Sequence, residues 1–93
     1  MNGPQLAERI GVSYRQVDFW VSKGYLRPEN ETGSGIPREF SSSEIQVAVV
    51  MARLVAAGVR PSEAHLIARG DPAAIAKVQA AMAGALRLIG EAA

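Results

Sequence analysis

Between residues 13 and 38 the chain gathers side chains that suit a nucleic-acid surface rather than a bond-breaking centre. Arg15 has the fork geometry to pair bidentately with O6 and N7 of guanine; the alternative is an ordinary solvated cation. Tyr14 and Gln16 stand beside it for contact with phosphates or bases, and Gln16 is equally suited to capping a helix. Ser13 opens a helix, and the exposed N–H groups of a helix start suit a phosphate. Lys23 and Arg27 are placed to hold phosphates, with Lys23 alternatively complementing a helix dipole. Phe19 belongs at the edge of this face, whereas Trp20 is expected in the core, where a large aromatic closes a small domain. Arg38 suits the minor groove or its phosphates. Its competing use is a surface salt bridge with Glu39 or Glu31, worth little.

These residues need elements to hold them. Residues 2–10 read as a first short helix, with Pro4 near its start and Gly11 just past its end. Ser13 and Gln16 form S-x-x-Q, the pattern of a capping box, with Val12 and Val17 spaced to staple it. That second helix runs past Trp20 and closes at Lys23 and Gly24. Residues 25–27 read as a strand, 29–35 as a polar loop and 36–40 as a returning edge arm, since Pro37 cannot donate to a ladder. Ser41, Ser42, Ser43 and Glu44 give a second capping box, with Phe40 and Ile45 as staple, for a third helix to about residue 57, before Gly58. Pro61 opens a fourth helix to about Arg69, and Asp71 and Pro72 open a last one. A helix followed at once by a hairpin with an arginine on its far arm is the winged helix-turn-helix arrangement. Its helix enters the major groove and its hairpin reaches the neighbouring backbone or minor groove.

The third helix is apolar nearly all round at Val47, Val49, Val50 and Met51, so it needs cover on more than one side. Ile75, Val78, Met82, Ala85 and Ile89 recur at spacings of three and four, a seam of about two heptads. Either this seam packs back on the third helix or it meets its copy in a dimer.

The chain has 93 residues, 48% apolar and 20% charged, enough for one small globular domain. Ten basic residues face nine acidic ones, so any phosphate contact rests on a few placed cations or on several copies. Cysteine is absent, and His65 has no second ligand near it in sequence, which speaks against a disulfide framework or a metal site. Gly33 and Gly35 flank Ser34 without a phosphate-loop lysine, and no catalytic constellation stands out. The longest apolar run, residues 47–52, falls short of the roughly 20 residues a membrane span takes, and no signal-peptide pattern opens the chain.

Leu6 through Ser13, then Val17, Phe19, Trp20 and Lys23 to Leu26, resemble the opening of MerR-type winged-helix regulators. The match continues in order through Gly35-x-x-Arg38-x-Phe40, Ser43-Glu44-Ile45 and Ala57-Gly58-Val59-x-Pro61, over about residues 3–69. Within that family the chain is most similar to short BldC-like regulators and phage excisionases, with their late tryptophan and G-x-x-R-x-aromatic wing. Two features depart from the family pattern. Asp18 stands where the family has a phosphate-contacting arginine, and Glu29 and Glu31 occupy a loop that is often basic.

The resemblance implies a mainly α fold with a small β-hairpin wing and an extra C-terminal helix. The division expected is a DNA-binding domain over residues 1–70 and a helix over 71–93 that packs on the core or mediates self-association. The function implied is sequence-specific binding of double-stranded DNA in transcription regulation, without catalysis, cofactor or sensor site, in the cytoplasm. The partners expected are duplex DNA and a second copy, as a dimer or a head-to-tail array, and no membrane; a recombinase or RNA polymerase stands open as a further one. Two rivals remain: an excisionase-like factor that bends DNA, and a protein–protein adaptor on the same fold.

Overall fold

The computed structural model describes residues 1–30 and 37–92, and five helices account for most of them. They are α1 (Gly3–Ile10), α2 (Tyr14–Ser22), α3 (Ser42–Ala56), α4 (Pro61–Ala68) and α5 (Pro72–Ala92). Each start has a local cause. Ser13 Oγ accepts from the Gln16 N–H at 3.1 Å, Ser41 Oγ from the Glu44 N–H at 3.2 Å, and Asp71 from the Ala74 N–H at 3.1 Å. The stops are equally local: Gly11 (φ +75°) and Gly70 (φ +84°) adopt the left-handed conformation that ends α1 and separates α4 from α5.

The full capping box falls at a different helix from those expected. Asn2 accepts from the Gln5 N–H, and the Gln5 side chain returns to the Asn2 N–H, both at 2.9 Å. At Ser13 and Ser41 only the forward bond forms. At α3 the reason is visible, because the Glu44 carboxylate is claimed by Arg69 and by the Arg27 backbone.

Leu6, Val17, Trp20, Leu26, Phe40, Ala48, Met51 and Ala64 form one buried core, so α1, α2, α3 and α4 close around the single tryptophan. Burial of these side chains, at about 1.5–3 kcal/mol for each large one, is the main term holding the helices together. Among the described residues, the buried polar side chain is Glu44. Its Oε2 lies 2.6 Å from Arg69 Nη2 and accepts the Arg27 N–H at 2.6 Å, while Oε1 accepts Arg69 Nη1 at 3.0 Å. Arg69 also donates to the Tyr25 carbonyl at 2.8 Å, so one ion pair ties α3, α4 and the segment after α2. Beside it the His65 ring stacks on Tyr25, centroids 4.4 Å apart.

The β-hairpin is not supported: no strand occurs among the described residues. The expected first strand is instead a helix exit, because the N–H groups of Tyr25 and Leu26 both turn back to the Trp20 carbonyl. The expected return arm spends its ladder bonds elsewhere. Glu39 forms an isolated antiparallel bridge with Asn2, and the Phe40 N–H donates to the Met1 carbonyl at 2.9 Å. One backbone bond, Glu29 N–H to the Glu39 carbonyl at 2.7 Å, and the Asn30 side chain hold the two sides of the loop together. Residues 31–36, with Glu31, Gly33 and Gly35, lie outside the described residues.

The helix α5 also departs from expectation. It packs on α4, not on α3, and Lys77 Nζ meets Glu63 Oε1 at 2.6 Å where the two helices touch. The cover for α3 comes from α4 and α1, which leaves Val50 40% exposed. Beyond Val78, α5 leaves the body: Met82, Leu86, Leu88 and Ile89 are each more than 60% exposed. The molecule is accordingly long, 57 × 23 × 20 Å, with a radius of gyration of 15.7 Å against roughly 12 Å for a compact chain of this length. Residues Pro72–Gly90 are also, by length and composition, apolar enough to cross a membrane, with mean hydropathy 1.3 and no residue fully buried. A search for unbroken apolar runs misses this stretch because Lys77 and Arg87 interrupt an alanine-rich helix whose average stays high.

Candidate nucleic-acid interface

Helix α2 buries Val17 and Trp20 and turns Tyr14, Arg15, Asp18, Phe19 and Ser22 outward. Tyr14, Asp18 and Ser22 are four apart, as are Arg15 and Phe19, so they form two adjacent columns on one helix face. Lys23, at the C-cap, extends the second column: its Nζ lies 5.5 Å from the centre of the Phe19 ring. That cation–π contact explains how Phe19 stands 48% exposed without a core to cover it.

Arg38 reaches this face from the segment before α3. Its Nη1 lies 2.6 Å from Asp18 Oδ1 and 3.4 Å from the Tyr14 hydroxyl. The arginine side chain is 18% exposed and the aspartate 54%. Arg38 pairs with Asp18, where the sequence offers a salt bridge with Glu39 or Glu31; Glu39 reaches the amino terminus at 3.3 Å, and Glu31 lies outside the described residues. Tyr14 is held from its other side by α1, where a Cβ on Gly3 would stand 2.5 Å from the ring.

The eight residues singled out in the sequence therefore separate into groups. Tyr14 and Arg38 are brought together, Phe19 and Lys23 form a second pair, and Arg15 is exposed beside them. Ser13 holds the start of α2 and Gln16 is half-buried behind it. Arg27 lies apart: its backbone N–H is bonded to Glu44, and its charge, with that of Arg69, acts on His65. Burial first, then the charges of Arg69 and Arg27, push the His65 imidazole below its usual pKa.

The residue that sequence reasoning undervalued is Asp18. As a departure from a basic position it looks like a loss, but spacing supplied a signal, because Tyr14 and Asp18 share a helix face at i and i+4. No group of three or more potential metal ligands occurs among the described residues. Three cations (Arg15, Lys23, Arg38), one carboxylate, two exposed aromatics and a helix start converge on one side of the molecule. That mixture offers hydrogen-bond donors and flat apolar surface.

A family model described as MerR HTH family regulatory protein matches residues 1–71. The chain is also similar to uncharacterized HTH-type transcriptional regulators of Mycobacterium bovis and Mycobacterium tuberculosis. Each is 32% identical over 75 residues, covering 73% of this chain and 33% of the relative. The chain thus spans about a third of the length of the curated relatives it matches. With helices α1–α4 and the turn into α5 inside the matched region, the chain belongs to the MerR HTH family of regulatory proteins.

Proposed function

We propose that this chain is a sequence-specific duplex DNA-binding module that serves transcription regulation. Helix α2 enters the major groove, and Arg38 reaches the adjacent backbone or minor groove. The observation that carries this reading is the convergence of Arg38, from outside α2, on the same outward face as Tyr14, Arg15, Phe19 and Lys23. Arg15 supplies the base-edge contact, and the first N–H groups of α2, beside the Ser13 cap, take a phosphate. Lys23 holds a backbone phosphate at the end of that face, and the exposed Arg27, which lies apart from it, holds a neighbouring one. The near-neutral net charge of +1 is compatible with this, since the cations that matter are local.

One module of this size covers about 600–1,000 Å² of protein surface on DNA, so useful affinity takes more than one copy. The exposed apolar side chains of α5 (Met82, Leu86, Ile89) support self-association there. Family membership, and relatives named as transcriptional regulators, favour regulation over catalysis.

The test is selection of bound fragments from sheared genomic DNA by the purified protein, at fixed salt of about physiological strength. A reproducible motif supports the reading, and its symmetry reports whether copies bind as a two-fold pair or head to tail. No enrichment at that salt refutes it.

A further inference from the structure

Asp18 is the one anion on the outward face of α2, where a surface made for phosphates should repel its own ligand. The structure gives that carboxylate a specific occupation. Its Oδ1 lies 2.6 Å from Nη1 of Arg38, and the same Nη1 lies 3.4 Å from the Tyr14 hydroxyl. Asp18 and Tyr14 are one helical turn apart on α2, while Arg38 belongs to a segment that returns from a loop and pairs by its backbone with the N-terminal residues. The arginine side chain is only 18% exposed although it sits on the surface. Its Nη1 is engaged by Asp18, and its Nε is buried without a hydrogen-bond partner among the described residues.

We propose that Asp18 is a positioning residue for DNA binding, which fixes Arg38 against the recognition helix so that both contact the duplex as one rigid surface. This rests on the DNA-binding reading above and deepens it. An arginine that must be ordered on binding costs affinity, and one already ordered does not; immobilising a rotamer-rich side chain costs about 0.5–1.5 kcal/mol. The carboxylate offsets part of the arginine's charge, yet it fixes where the remaining donors point. The price of the local repulsion is thereby exchanged for pre-organisation. A carboxylate serving only as a misplaced negative charge would have the opposite effect on binding, and this difference in sign makes the proposal testable.

The experiment is a double-mutant cycle on the whole chain, using Asp18→Ala, Arg38→Ala and the pair, with the enriched duplex as probe. Asp18 is 54% exposed and alanine favours helix, so the variants are expected to fold, which circular dichroism verifies. Asp18→Ala alone should weaken binding by about threefold to tenfold, the ordering cost expressed as a ratio. In the Arg38→Ala background the same change should strengthen binding, because only repulsion of phosphate is then removed. Tighter binding on Asp18→Ala in both backgrounds would overturn the proposal while leaving DNA binding intact. Wild-type protein that binds no duplex would overturn the DNA reading and this proposal together. A readout without DNA accompanies the cycle: the Arg38 side-chain N–H signals should exchange with water faster in Asp18→Ala. Unchanged exchange would also overturn it.

Discussion

Replacing Arg69 by methionine keeps most of the side-chain stem in place and removes the guanidinium. Glu44, with its side chain 9% exposed, would lose donors at 2.6 and 3.0 Å and keep only the Arg27 N–H. The Tyr25 carbonyl would lose its partner at 2.8 Å. Removing one member of a buried ion pair costs about 3–5 kcal/mol, because the survivor is left desolvated and uncompensated. Arg69 is itself 21% exposed, so water can partly reach the site and the lower end, about 3 kcal/mol, is the expected loss. A domain of this length is stable by roughly 5–14 kcal/mol. The variant should therefore melt roughly 12–24 °C below the parent. Chemical denaturation followed by circular dichroism gives the free energy directly, and the melting temperature checks it. Arg69→Lys keeps the charge but cannot span both carboxylate oxygens and the Tyr25 carbonyl, so it should fall between the two. A loss below about 1 kcal/mol in Arg69→Met, the size of one ordinary hydrogen bond, would refute the view that this pair fastens α4 to the rest.

Three further outcomes are expected. Gly3→Ala puts a methyl group 2.5 Å from the Tyr14 ring; the exposed ring swings away, so the melting temperature should hardly move while affinity for the selected duplex falls. The folded-state pKa of His65 lies below the usual imidazole value of 6.5, chiefly through burial. The unfolded chain then takes up the proton first, so stability should fall as pH drops from 6.5 towards the lowered value and level off below it. His65→Phe, which keeps a ring on Tyr25, should flatten that dependence in denaturant titrations at several pH values. Met82→Glu with Ile89→Glu places charges on the exposed part of α5; sedimentation should show a smaller species than the parent if that face joins two copies, and an unchanged one refutes the α5 route.

The helix ends were legible in the sequence because their causes are local. The side chains of Ser13, Ser41 and Asp71 accept from N–H groups three residues on, and Gly11, Gly24 and Gly58 take positive φ where stops were expected, as does Gly70 just past Arg69. The Asn2–Gln5 box was equally readable as N-x-x-Q. What was not legible depends on partners far apart in the chain. Nothing near Glu44 announces Arg69, and nothing near Asp18 announces Arg38, since charge alone does not select among ten cations. The hairpin expectation failed because the backbone of 39–40 pairs with residues 1–2. For α5 the spacing of apolar residues told which side needs cover, but a period cannot say which neighbour supplies it.

The projection of α5 has a geometric consequence. The fourteen helical residues beyond Val78 make a strut about 21 Å long. A strut that is a helix sets angle as well as distance. Inserting one residue near Ala80 would lengthen it by about 1.5 Å and rotate everything beyond by about 100°, so whatever meets the far end would find a different side of it. Inserting seven would lengthen it by about 10.5 Å but restore the original facing to within about 20°. Reach and phase can thus be varied separately in α5, as with the teeth of a gear, while the body built from α1 to α4 stays untouched.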